Sequence, residues 1–146
     1  MANYYSNYNL ESEVRAEFAS AKNRAFRRKW LKFGQAQNLA DFNKAQHNNN
    51  RVDMGIHEID VSQIKGSVSN NRNFDDEFNP RNTVSQNRWS RLYIGYLQGD
   101  PIPPIDVYKI EDTYYVEDGH HRVSVSRSIG RPYIDAHIID FDTPSS

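Results

Sequence analysis

Between Thr113 and Ile129 the hydrophobic rhythm of this chain changes at one point, and that change constrains the fold more than any other feature. Up to Val116 the residues suit a strand, and Asp118-Gly119 then breaks it. Beyond the break Val123, Val125 and Ile129 fall as a short helix would place them, with Gly130 and Pro132 to end it. A strand that runs through a glycine straight into a helix leaves the first helical amides without partners and puts the positive end of the helix dipole at the same spot. Such a junction attracts anions, phosphate above all.

The other elements are read around this junction. Ile105 to Ile110 reads as a strand, Glu111-Asp112 as a tight turn, and Thr113 to Val116 as its antiparallel partner. A last strand spans 133 to 139, and the alternation from Ile56 to Val61 suits a half-buried one. Val84, Trp89, Leu92, Tyr93, Tyr96 and Leu97 mark a helix over 83 to 97, with Asn82 or Thr83 as cap and Gly99 past its end. The polar stretch from Ser67 to Asn82 is turn chemistry throughout, and a loop of that length in a small domain tends to be functional.

At the other end, Leu10, Val14, Phe18, Ala21, Ala25 and Phe26 recur at helical steps, with Gly34 expected to interrupt or end the helix. Gln35 to Asn50 dissolves into His47-Asn48-Asn49-Asn50 and reads as a linker. The expected organisation is a basic helical arm and linker over 1–50, then an α+β domain over 51–146 with a small mixed sheet and flanking helices.

Bulk properties exclude several functions. With 146 residues the chain fits one modest core, and 37% hydrophobic residues at a mean hydropathy of −0.86 place it among folded, polar proteins. No apolar run approaches the roughly 18 residues of a membrane span, and Met1 to Tyr5 lacks the features of a signal peptide, so a cytoplasmic location is expected. Zero cysteines exclude disulfides, thiolate metal sites and a cysteine nucleophile. A net charge of −1 gives little overall attraction to nucleic acid. Locally, however, residues 11–32 carry seven basic side chains against three acids.

At the junction, Gly119 allows close backbone approach, and His120, His121 and Arg122 add donors around one point. The Arg122 guanidinium, always charged, is suited to grip two phosphate oxygens. Alternatively, His121 and Arg122 simply cap and solvate a helix start. Glu117 and Asp118 stand beside the turn, where a carboxylate could hold Mg²⁺ or act as general base; an Asp before Gly also commonly bonds its own backbone. Adjacent histidines point about 100° apart on a helix, so His120 and His121, even with His137, make a poor metal site and none is expected.

At these residues the sequence resembles a known family. Tyr114 to Gly130, containing Asp118-Gly119-His120-His121-Arg122, is similar to the core motif of ParB N-terminal domain-like proteins, and Ile102-Pro103-Pro104-Ile105 to its preceding strand. Arg72 and Asn79-Pro80-Arg81 resemble the family's early arginine-bearing segment. The resemblance covers about residues 56–140 and implies a ParB/sulfiredoxin-like fold. It also implies a nucleoside di- or triphosphate as ligand (ATP, ADP or CTP, with Mg²⁺), held by Gly119, His120, His121, Arg122, Arg72 and Arg81. His120 stands where the sulfiredoxin signature has its catalytic cysteine, which excludes sulfiredoxin chemistry. With the sequence ending at Ser146, the helix-turn-helix of partition proteins is expected to be missing.

Three functions follow as expectations. One is a nucleotide-binding or NTP-hydrolysing regulatory module. Another is a small phosphotransferase or nuclease with Asp118 or Glu117 as its acid, base or metal group. The third is an interaction module in which Lys22 to Lys32, interleaved with Phe26, Trp30 and Phe33, contacts DNA. The plainer reading of that arm is an amphipathic helix packed on the domain or on a second copy, its basic face solvated. Arg88 and Arg91 flank the expected cleft, as phosphate ligands or as partners of acids such as Asp75 and Asp76.

Overall fold

The computed structural model describes residues 4–31, 38–47, 49–69 and 71–141. In chain order it contains α1 (Tyr4–Leu31), β1 (Ala40–Asp41), α2 (Phe42–Ala45), β2 (Val52–Asp60), β3 (Ile64–Ser67), α3 (Gln86–Leu97), β4 (Ile105–Ile110), β5 (Thr113–Asp118), α4 (His120–Ile129) and β6 (Tyr133–Asp140). The six strands form one mixed sheet in the order β1-β3-β5-β4-β6-β2. β4 and β5 are the antiparallel hairpin, with Glu111 at positive φ in its turn. β6 lies parallel to β4, and β2 closes that edge antiparallel to β6.

α4 lies between two hydrophobic clusters, and this determines the layering. Its Val123 joins the sheet's cluster with Ile64, Ile105, Val107, Val116, Ala136 and Ile138. Its Val125 joins Val14, Phe18 and Ala21 of α1 with Trp89, Tyr93 and Tyr96 of α3. The buried Ser124 keeps the α3 contact close and accepts a 2.9 Å hydrogen bond from the Trp89 indole. Phe18 meets Trp89 edge to face at 5.4 Å, and both are essentially inaccessible. Truncating a core Phe or Trp costs about 3–5 kcal/mol, a large share of a small domain's stability, so α1 is built into this core.

Several expectations need correction. The stretch from Gln35 to Asn50, read as a linker, contributes within its described residues β1 on β3 and Phe42, which packs on Tyr115 and Phe141. Short apolar positions in a polar stretch carry no periodicity, and only tertiary contacts reveal them. β3 itself was not expected. Val84 is exposed at 80%, because α3 begins after Ser85. Phe26 is likewise exposed and outside the α1 core face of Val14, Phe18, Ala21 and Ala25. The first helix begins at Tyr4, ahead of the Leu10 at which its spacing becomes readable, while Lys32, Phe33, Gly34 and Asn48 lie outside the described residues. Among the described residues no helix is long and apolar enough to cross a membrane.

Candidate functional site

β5 ends at Asp118, and Gly119 turns the chain into α4 with φ 115°. A Cβ at Gly119 would stand 2.5 Å from Cγ2 of the fully buried Ile105, so the turn is pressed onto the start of β4. Gly119 is the N-cap of α4 and has no side chain with which to cap it; its carbonyl accepts from Val123 N–H at 3.0 Å. Among the described residues nothing accepts from the amides of His120, His121 and Arg122. The helix start with unpartnered first amides expected from the sequence is therefore present.

The side chains around it are arranged differently from the expectation of convergent donors. Arg122 Nη1 donates to the carbonyls of Pro103 at 2.8 Å and Pro104 at 2.7 Å, and Nη2 donates to Asp118 Oδ2 at 3.2 Å. The guanidinium thus fastens the turn to the segment before β4, and Asp118 is held in an ion pair. The His120 ring faces inward, with Nε2 2.7 Å from Ser67 Oγ, and lies nearly parallel to Phe74 at 6.4 Å. Burial pushes its pKa down to about 4, helped by neighbouring His121, so it is neutral at pH 7. His120 can offer a ligand its backbone amide, whereas its imidazole serves the core.

His121 is half-buried with Phe74 edge-on at 5.2 Å, and its enclosed Nε2 has no hydrogen-bond partner among the described residues. Burial lowers its pKa and the Arg88 cation lowers it further. Arg88 is exposed and has no acidic partner among the described residues. Glu117 is exposed next to the turn.

The loop after β3 lies over this junction. Phe74 and Phe78 are buried beside His120, and Asp75, at 1% exposure, accepts from the amides of Glu77 and Asn79 at 2.9 Å each. Its acids answer to α1. Arg28 lies 3.4 Å from Asp75, 2.6 Å from Asp76 and 2.9 Å from Glu77, while Arg24 donates to Asn79 and Ser128. The alternative in which Asp75 and Asp76 pair with Arg88 or Arg91 is corrected accordingly. Arg81 donates to Asn38 at 2.7 Å, and Arg72 is exposed. Arg91 lines a groove between α1 and α3 with Arg15 and Ser90, away from the turn. None of the cavities described includes a residue of the 117–122 turn.

His137 lies apart, its Nε2 2.8 Å from Asp53 and its Nδ1 3.3 Å from Asp106. Among the described residues no group of three or more His, Asp or Glu side chains is arranged to hold a metal ion. Ser67 and the Arg24–Arg28 grip on the loop escaped the sequence reading, since a lone serine and two arginines in a basic helix carry no signal for partners 50 or so residues away.

Residues 42–146, most of the chain, match the ParB N-terminal domain family. The chain belongs to that family. Its mixed six-stranded sheet with flanking helices is the α+β architecture expected from the sequence, and the family is the one that the Asp118 to Arg122 motif resembles. Among solved structures, sulfiredoxin from Arabidopsis thaliana is similar at 28% identity and a TM-score of 0.43, over 57% of this chain and 82% of that one. A Pnob8-like ParB-N domain is similar at 19% identity and a TM-score of 0.44, over 64% of this chain and 32% of its own length. No curated protein matches the chain.

Proposed function

We propose that this ParB-family domain is a nucleotide-binding module which seats a phosphate group of ATP, ADP or CTP, with Mg²⁺, on the amino end of α4. The observation that carries the reading is the set of open amides of His120, His121 and Arg122 behind an uncapped Gly119. Arg88 adds a cation with no acidic partner among the described residues. Gly119 holds the turn against Ile105 at a positive φ, and Arg122 keeps it in shape through Pro103 and Pro104. His121, whose Nε2 has no hydrogen-bond partner among the described residues, stands in the first turn of the same helix. Arg72 and Arg81, on the loop after β3, are proposed to meet the ligand's far end.

For turnover, a carboxylate must take a proton or hold the metal. Asp118 already pairs with Arg122, so Glu117 is the freer of the two, and any hydrolysis should fall when Glu117→Gln and Asp118→Asn are combined. The test of binding is an NMR titration of the full chain with each nucleotide and Mg²⁺, read alongside melting temperature. The amides of 120–122 are expected to shift first. Saturation about a hundredfold above Kd should add about 2.7 kcal/mol of stability. Amides 119–122 that stay unmoved by every nucleotide would remove the reading. A second contact, of nucleic acid with α1, is favoured by the exposure of Phe26 and Trp30 among basic residues.

A further inference from the structure

α1 leaves two of its largest apolar side chains in water. Phe26 is 61% exposed and Trp30 is 69% exposed, while Trp89, the other tryptophan, is fully buried. They stand one helical turn apart and meet edge to face with centroids 6.2 Å apart, so they form a single raised aromatic step. The step lies on the side of α1 away from the core positions Val14, Phe18, Ala21 and Ala25. At about 100° per residue, Lys22 and Lys29 fall along one flank of it and Arg27 along the other. None of these three cations has an acidic partner among the described residues, whereas Arg24 and Arg28 are committed to the loop and to α4. The acids of α1 (Glu11, Glu13 and Glu17) lie more than a turn before this patch.

We infer that the carboxyl-terminal part of α1, through Phe26 and Trp30 flanked by Lys22, Arg27 and Lys29, binds single-stranded nucleic acid by base stacking. This rests on the reading of α1 as the nucleic-acid contact and specifies the strand state it takes. Exposed ring faces can stack only on bases that are free to leave their neighbours, and each such stack contributes about 1–3 kcal/mol. The flanking cations track the backbone and release counterions. Duplex DNA offers the cations its phosphates but hides its base faces, so it engages only half of the patch. A membrane surface would call for a broad apolar face opposite a polar one, yet the face opposite this step is buried against α3.

The test is fluorescence anisotropy of the full chain with a labelled oligodeoxythymidine of about 15 nucleotides, its oligouridine counterpart and a duplex of equal length. The single strands are expected to bind at least about tenfold more tightly than the duplex and to quench Trp30 emission. Trp30→Ala and Phe26→Ala should each weaken single-strand binding by roughly tenfold or more, and Trp30→Phe should restore much of it. Both positions are exposed, so the melting temperature should hold within a degree or so of the parent. Lys22→Glu with Arg27→Glu and Lys29→Glu should abolish binding and its salt dependence. Equal affinity for duplex and single strand without quenching would overturn the stacking inference while leaving α1 as the nucleic-acid contact. No binding to any oligonucleotide would overturn both, as would capture by anionic phosphatidylserine vesicles or Trp30-dependent self-association in its place.

Discussion

His120 Nε2 lies 2.7 Å from Ser67 Oγ, joining the first residue of α4 to the last of β3 across 53 positions of sequence. Both groups are buried, and the imidazole is held neutral with its pKa lowered to about 4 by loss of solvent. In the unfolded chain the same histidine titrates near 6.5, so between pH 6.5 and about 4 the unfolded state binds more protons. Stability is therefore expected to fall as pH drops through that window, by about 3 kcal/mol in all from this one group. His121, also lowered by burial, acts in the same direction. Urea unfolding at several pH values checks this, and His120→Asn should flatten the profile. An NMR titration in which His120 protonates near 6.5 in the folded protein would contradict it.

His137 behaves in the opposite sense. Hydrogen bonding to Asp53, and then to Asp106, raises its pKa, and it ties β6 to β2 and β4. The stabilisation is complete below the unfolded value of about 6.5 and is lost as pH rises through the raised folded value. Asp53→Asn should bring the His137 midpoint down, measured by the ring-proton shifts. A midpoint indifferent to that substitution would mean that the 2.8 Å contact does not persist in solution.

Gly119→Ala combines a backbone penalty at φ 115° with a methyl group 2.5 Å from Ile105. A loss of roughly 2 kcal/mol or more is expected from strain and overpacking together. Ile105→Ala on its own should also destabilise, by opening a cavity. The double substitution should be less harmful than the sum of the two, since the clash disappears with the larger side chain. Strict additivity would show that the contact is not the source.

Arg28→Ala removes the grip on Asp75, Asp76 and Glu77 and leaves a buried carboxylate supported only by its own loop. About 1–2 kcal/mol of stability should go with it, and Arg28→Lys should recover part, because an ammonium cannot reach three acids at once. The sharper readout is amide exchange in residues 73–80, expected to accelerate while the exchange of β4 and β6 is unchanged. Uniform acceleration across the sheet would place the role of Arg28 in the core and not in the loop.

How much of this was legible in the sequence depends on the range of the interaction. The β4–β5 hairpin, the break at Gly119 and α4 with its Gly130 end are local events, decided by alternation, helical spacing and glycine placement within a few residues. They were readable directly, and the Asp118 to Arg122 motif led to the family. β1, β3 and the burial of Phe42 were not, because strands of two to four residues carry no periodicity of their own.

The sequence by itself determined that a glycine-hinged helix start, its first amides left without partners, would follow a sheet strand. Only the tertiary structure decided what the side chains at that start do. It turned the His120 ring inward to Ser67, gave Arg122 to the carbonyls of Pro103 and Pro104, and set Arg28 on the loop whose Phe74 packs beside His120. A short helix can point a ring or a guanidinium toward solvent or core at similar local cost. The choice falls to partners distant in the chain, and burying a polar group is tolerated only where such a partner meets it.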